Sequence, residues 1–361
     1  MTTAVAQPSG RRRTGRKEHS MDVDIILEPD LTPGQLVEIG QAAERYGIRA
    51  LWMSNYFAHW DPFVALAPVA LATGRLRLGA LALSPFEMHP LKIANALLSL
   101  NELSGGRAEV SIGAGEGNLD AMALGKPQKI VGAVREAVEI VIGAAHGRLA
   151  RDGYRGAHFQ VTFPCAYTWL KAPPPRVWLG AYRHQMMRAG ARVADGVFIG
   201  CTPLEILDPA IAAIRAGLAQ RERPREGFGI NSFWAWHLKR ERAAGYRESC
   251  RELAWRARKL DPELISLCLG PDDVHLVREH WQDFVNAWFD RSGNVKGVPE
   301  RITNALCETF TSTGGLEDLD REIERFRRFG QAGQTAISLR LHDDPMDALD
   351  LIGRHVVPAL R

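Results

Sequence analysis

From Met21 onward, short β-rich apolar runs alternate with longer runs whose apolar residues recur three and four positions apart. Val23–Leu27 reads as a strand. Thr32-Pro33-Gly34-Gln35 then gives a helix start, with a capping Thr, a first-turn proline and a Gln placed to complete a capping box. Leu36, Ile39, Ala43 and Tyr46 follow at spacings of 3, 4 and 3, forming one apolar face, and Gly47 stops the helix. The cycle repeats with strands over Ala50–Ser54, Leu76–Ala82, Glu109–Gly113, Arg176–Gly180, Gly196–Gly200, Phe228–Trp234 and Ala336–Leu341. Helices are expected over Pro62–Thr73, Pro90–Asn101, Ile130–Ala145, His184–Ala194, Pro203–Gln220 and Met346–Leu360. Arg148–Phe163 reads as a small hairpin insertion, and Arg240–Phe329 as mostly helical.

Eight strands each followed by helix fit either a doubly wound sheet or a closed α/β barrel. The count and the length favour a (β/α)8 barrel, which typically takes roughly 250 residues before insertions. The expected organisation is a single barrel domain over residues 21–361, with insertions at about 146–175 and 240–330. Residues 1–20 contribute nothing to the fold on this reading and are either a basic arm or an upstream start ahead of Met21.

Charge adds one point. The net charge of +3 hides a balance of +4 within the first twenty residues, from Arg11, Arg12, Arg13, Arg16 and Lys17 against Glu18, so the rest of the chain carries −1. The pI of about 8.6 therefore reports the tail and not a basic nucleic-acid face. The longest apolar stretch, Phe63 to Ala72, is about half a membrane span, so no transmembrane helix is expected. The five cysteines lack CxxC spacing, which argues against a zinc ribbon or a disulfide framework and makes the cytoplasm the default compartment.

In such a barrel the chemistry sits at the carboxyl ends of the strands. Those positions hold Glu28 after strand one; Asn55, Tyr56, His59 and Trp60 after strand two; Ser84, Glu87 and His89 after strand three; and Gly113-Ala114-Gly115-Glu116-Gly117-Asn118 after strand four. Tyr182, Arg183 and His184 follow strand five, Cys201 and Thr202 strand six, and Arg340, His342 and Asp343 strand eight. The glycine turn permits close approach of backbone to a phosphate or ring, but it is neither a GxGxxG fingerprint nor a P-loop. Tyr56, Phe57, Trp60, Phe233, Trp234 and Trp236 make one end aromatic, suited to a flat conjugated ligand or simply packed as barrel filling. No metal-ligand spacing and no Gly-x-Ser-x-Gly turn is present, so no metal is expected.

Several runs in order carry a resemblance: Leu78-Gly79-Ala80-Leu81-Ala82-Leu83-Ser84-Pro85, His89-Pro90, Asn101-Glu102-Leu103-Ser104-Gly105-Gly106-Arg107, Ile112-Gly113-Ala114-Gly115-Glu116 and Pro175-Arg176-Val177-Trp178-Leu179-Gly180-Ala181. Together they resemble the luciferase-like flavin/deazaflavin oxidoreductases, over the span from Met21 to the C-terminus. Within that family the likeness is to the branch using the deazaflavin coenzyme F420, which includes methylenetetrahydromethanopterin reductase and F420-dependent glucose-6-phosphate dehydrogenase. Gly115-Glu116 and Asn118 resemble that dehydrogenase's Gly-Glu-x-x-Asn turn shortened by one residue, Trp60 its active-site tryptophan and Glu28 its strand-one glutamate. The family's cis, bulged strand-three peptide would map to Leu81–Ala82. One departure matters: where the family commonly has Asp-His after strand two, this chain has Asn55-Tyr56, and its strand-three arginine is Met88.

The resemblance implies hydride transfer between F420 and a small organic substrate, with the ring against Leu81 and Ala82. Cofactor contacts would come from Asn55, Ser84, Gly115, Glu116, Gly117, Asn118, Gly180, Ala181 and Tyr182. With the usual histidine absent, Glu116 leads as general acid, with Glu28, Tyr56, His59 and Trp60 as the other catalytic candidates; burial beside aromatics would keep a carboxyl protonated near neutrality. The alternatives are an FMN-dependent monooxygenase using reduced flavin and oxygen, or a degenerate flavin-binding barrel without activity. Neither nucleic acid nor membrane is an expected partner, and a homodimer is left open.

Overall fold

The computed structural model describes residues 20–256 and 260–361. The strands in chain order are β1 (Asp22–Leu27), β2 (Ala50–Ser54), β3 (Arg77–Leu83), β4 (Ala108–Ile112), β5 (Tyr154–Arg155), β6 (Gln160–Val161), β7 (Arg176–Ala181), β8 (Gly196–Ile199), β9 (Gly229–Leu238), β10 (Thr311–Gly314) and β11 (Ala336–Arg340). Eight of these run in parallel around a ring in the order β1-β2-β3-β4-β7-β8-β9-β11, and β11 pairs again with β1. With helices between consecutive strands this is a closed (β/α)8 barrel.

The local signals act as the sequence predicts. Thr32 accepts from Gln35 N, the Gln35 side chain accepts in return from Thr32 N at 2.9 Å, and Gly47 ends the helix Pro33–Tyr46 at φ 78°. Asp61 caps the helix Pro62–Ala72 by accepting from the Phe63 and Val64 amides. β5 and β6 form the expected hairpin. β3 carries a register shift between Ala80 and Leu83, and the Leu81–Ala82 peptide is cis, at the position the resemblance implies.

Period-two alternation along β1 turns Asp24, Ile26 and then Glu28 toward the barrel axis. The lower layer is polar. Asp24 accepts from Arg49 Nε at 2.9 Å, Trp52 Nε1 at 2.9 Å and Asn231 Nδ2 at 2.8 Å, while Glu109 accepts from Arg49 Nη1 at 2.9 Å, Trp178 Nε1 at 2.8 Å and Arg77. Above it, Trp52, Trp178 and Phe198 pack edge to face, Trp52 and Phe198 at 5.2 Å and 84°. Glycines make room for these rings: a Cβ on Gly79 would lie 2.0 Å from Trp52, and one on Gly196 2.4 Å from Trp178. The barrel is thus plugged from below, and only its carboxyl-end mouth offers space for chemistry.

The region read as mostly helical is so, with one exception. It contains β10, which pairs with the second half of β9 outside the barrel ring. Thr311-Ser312-Thr313-Gly314 has no apolar alternation; the buried Thr311 and Thr313 hydroxyls bond to each other and to Ser249, and Ser312 donates to Glu322, partners reached through tertiary packing. β9 therefore runs on to Leu238, which places His237 inside the strand and not beyond its end. Trp234 and Trp236 are corrected as well. They point away from the mouth, Trp234 to Phe329 at 5.3 Å and Trp236 to Phe326 at 6.4 Å, under the helix Leu319–Ala332. The helices of this insertion close over a second apolar core that includes Leu253, Phe284, Ile302 and Phe310. Among the described residues no helix is long and apolar enough to cross a membrane.

Candidate active site

The mouth has two halves. On the β9–β11–β1–β2 side, Arg340 ends β11 and faces inward, two residues beyond Ser338, which bonds to Asp24 in the plug. Its guanidinium pairs with Glu28 and donates from Nη2 to the Tyr56 hydroxyl. The same group stacks between two rings, 5.5 Å from Phe233 and 5.8 Å from Tyr56. Burial pushes the Tyr56 phenol above its ordinary value, opposed by the Arg340 charge, so Tyr56 is a neutral phenol. Glu28, one of the catalytic candidates, pairs with Arg340.

A supporting group backs this half. Arg256 lies over the same Phe233 ring at 5.6 Å and donates from Nη2 to His342 Nε2 at 3.1 Å. Because guanidinium only donates, the His342 proton sits on Nδ1, facing Glu252 at 3.8 Å. His342 stacks on His237 at 5.0 Å, and burial drives both imidazoles toward the neutral form. Glu248, on the helix Arg242–Glu252, holds Lys239 at 2.9 Å and the Asp343 amide at 2.9 Å.

On the β3–β4–β7–β8 side the mouth is built of small residues. Gly113 lies against Ala82, at 3.4 Å from a built Cβ, and Gly180 against Ser111 Oγ at 3.3 Å. Ser111 Oγ itself is buried without a hydrogen-bond partner. Ser84 Oγ donates to Ala114 O at 2.9 Å and ties the β3 loop to the glycine turn. Leu81 packs onto the inner aromatic layer. Ala181 points instead into the helix-side core, so of the β7 candidates Gly180 lines the interior. The Tyr182 ring crosses Gly200, where a Cβ would lie 1.8 Å from Cε1.

Between the halves stands a carboxyl that sequence reasoning did not select. Glu87 Oε2 accepts from Asn55 Nδ2 at 3.1 Å and Asn118 Nδ2 at 3.0 Å, while Asn118 also donates to Asn55 O at 3.3 Å. Glu87 Oε1 is buried without a partner. Partial burial raises the Glu87 carboxyl, and the two amides only partly offset this. Its position three residues past Ser84 in the β3 loop was a legible signal, but the amides that hold it come from the loop after β2 and the helix after β4. Gly115, at φ 74°, admits this arrangement, since a Cβ there would meet Ser84 and sit 2.4 Å from Glu87 Oε1.

The remaining candidates divide. Glu116 opens the helix Glu116–Ala121, and its side chain lies outside the described ones. Gly117 is exposed on the same helix. His59 and Trp60 are exposed on the loop after β2, with the His59 ring 5.7 Å from Tyr56 and the Trp60 amide on Pro29 O. With Pro29, Asp30 and Val64 they line an open cavity of about 570 Å3 beside Glu28.

Residues 9–333 match the profile of the luciferase-like monooxygenases. The chain belongs to that family. This luciferase-like chain is 27% identical over 348 residues to the 5,10-methylenetetrahydromethanopterin reductase of Archaeoglobus fulgidus, a match covering 94% of it and 100% of that enzyme. It is 28% identical over 203 residues to the F420-dependent glucose-6-phosphate dehydrogenase of Kineococcus radiotolerans, covering 52% and 58% of the two chains. Among solved luciferase-like barrels, the coenzyme F420-dependent tetrahydromethanopterin reductase of Methanopyrus kandleri superposes with a TM-score of 0.73 at 19% identity, covering 95% of this chain and 100% of that one.

Proposed function

We propose that this luciferase-like protein is an oxidoreductase that moves a hydride between coenzyme F420 and a small organic substrate. The full-length likeness to a methylenetetrahydromethanopterin reductase supports the cofactor class. The observation that carries the reading is the mouth itself, a cradle of Gly113, Gly180 and Ala82 facing a neutral phenol fixed by a buried guanidinium.

These residues fit a flat deazaflavin. The glycines leave space that side chains would fill, and the unpartnered Ser111 Oγ and Glu87 Oε1 are polar atoms free to meet ring edges. Leu81, Ala82, Gly113 and Gly180 would hold the ring, with Asn55, Ser84, Gly115, Gly117, Asn118 and Tyr182 around it, while Ala181, turned into the helix-side core, would not. When bound, the coenzyme supplies the hydride chemistry. The protein orients, excludes water and holds a proton. Arg340 donates to the Tyr56 oxygen and accepts nothing, which leaves the phenol proton available to an occupant of the mouth on this reading. Glu28 supplies the charge opposite Arg340. Tyr56 thereby takes the place that histidine has in the family pattern, and the exposed His59 and Trp60 lie at the outer rim.

Two measurements test this. Fluorescence-quench titrations of the purified protein are expected to give F420 a Kd at least tenfold below that of FMN, about 1.4 kcal/mol. Equal affinities, or FMN co-purifying one to one, would replace this reading with the flavin monooxygenase. With a substrate drawn from a panel of secondary alcohols and reduced pterins, Tyr56→Phe is expected to lower turnover by roughly 10²–10⁴ while F420 affinity changes only a few-fold. Normal turnover in Tyr56→Phe together with loss in Glu116→Gln would move the proton to Glu116.

A further inference from the structure

The second core, remote from the barrel axis, contains two cysteines that the chemistry of the mouth does not use. Cys250 lies on the helix Arg242–Glu252 and Cys307 on the helix Glu300–Phe310. Their Sγ atoms are 3.6 Å apart, although the residues are separated by 57 positions in the chain. Both are free thiols, and Cys165, Cys201 and Cys268 appear in no such pair. We propose that Cys250 and Cys307 form a reversible oxidation site, closed to a disulfide by peroxide and reopened by thiols.

The two sulfurs are not equivalent, and the asymmetry assigns the roles. Cys307 is fully enclosed, whereas Cys250 retains 8% exposure. A hydrogen bond from the Cys307 thiol lowers Cys250, while burial and that same neighbour raise Cys307. Cys250 is therefore the attacking thiolate and Cys307 the resolving thiol. In the first step Cys250 sulfur attacks one peroxide oxygen, the O–O bond breaks, and the departing hydroxide takes up a proton as water, leaving a sulfenic acid. In the second, Cys307 sulfur attacks Cys250 sulfur, the S–O bond breaks, and the hydroxyl leaves as water with the Cys307 proton. Two thiols are oxidised, one peroxide is reduced and two waters form. The sulfurs need only close from contact to a bond of about 2 Å, within one already packed core.

The link would tie together the two helices at the shoulder of the mouth. The Cys250 helix also carries Ser249, bonded to β10, and Glu248, Arg251 and Glu252, which reach Lys239, Asp343 and His342. A bond across so long a loop constrains the unfolded chain and stabilises the fold.

Peptide mapping of the full chain decides the matter. Reduced protein is treated with hydrogen peroxide, alkylated under denaturation and digested without reductant. The expected product joins the Cys250 and Cys307 peptides, two hydrogens lighter than the reduced pair and cleaved by dithiothreitol, with Cys165, Cys201 and Cys268 alkylated. Treated protein is expected to melt about 5 °C higher, and Cys307→Ser to show no such shift. In Cys307→Ser, Cys250 is expected to be trapped as a dimedone adduct. A Cys250 disulfide to any other cysteine, oxidation of each sulfur separately to sulfinic acid, or full alkylation of both after treatment would each overturn the proposal. Should Cys307→Ser fail to fold, the peptide map of the unsubstituted chain stands as the deciding measurement.

Discussion

The guanidinium of Arg340 donates to the hydroxyl oxygen of Tyr56, and this contact removes Arg340 as an acceptor for the phenol proton. A guanidinium has no acceptor, so the phenol cannot donate back to it. Arg340 also pairs with Glu28, which ties the phenol to the ends of β11, β1 and β2.

Arg340→Lys keeps a charge opposite Glu28 but loses the planar fork that stacks between Tyr56 and Phe233. Turnover is expected to fall about tenfold or more with a wild-type fold by circular dichroism. Unchanged kcat would show that Tyr56 does not depend on Arg340 for its orientation.

Glu109 anchors the plug. Burial alone would raise its carboxyl, but Arg49, Arg77 and Arg176 overcome this and hold it at about 2, below its ordinary 4.5. For a lowered acid the stabilisation is complete above the unfolded value and is lost as pH falls through the folded one, here between pH 4.5 and about 2. Glu109→Gln is expected to cost about 3–5 kcal/mol at pH 7, since it leaves a buried guanidinium cluster short of charge. It should also flatten the acid limb of urea midpoint against pH. A limb as steep as wild type would assign acid sensitivity elsewhere.

Glu87 works in the opposite sense. Its carboxyl is raised by burial, so its favourable contribution is present below the unfolded value and is lost as pH rises through the folded value. Glu87→Gln removes that cost of ionisation. Relative to wild type, the variant's urea midpoint is expected to improve as pH climbs from 5 to 8. A pH-independent difference between the two would mean that Glu87 does not titrate in this range.

Gly115 and Gly117 flank the same position yet should respond in opposite ways. Gly115→Ala forces a Cβ into Ser84 and Glu87 at positive φ, and a loss of about 1–3 kcal/mol is expected. Gly117 sits in a helix with nothing within 4 Å of a built Cβ, so Gly117→Ala should be neutral or stabilising by up to about 1 kcal/mol. Equal effects in chemical denaturation would contradict the described turn.

Hydrophobic periodicity and cap chemistry by themselves determined the alternating elements, the number of barrel strands and the strand ends where chemistry belongs. These are local properties: the capping box at Thr32, the stop at Gly47 and the inward face of β1 follow from residues close in sequence. What alternation could not carry was decided by tertiary contact. β10 is a polar Thr/Ser run that becomes a strand because β9 offers an edge and Ser249 a hydrogen-bond partner. Trp234 and Trp236 follow the outward face of a strand longer than its apolar signal, and so left the mouth for the helix above them. The partners of Glu28 and Glu87 were equally out of reach, because Arg340 lies at the far end of the chain, Asn55 follows β2 and Asn118 lies in the helix after β4. A sequence shows which residues carry charge; only the closed barrel decides which charge each one meets.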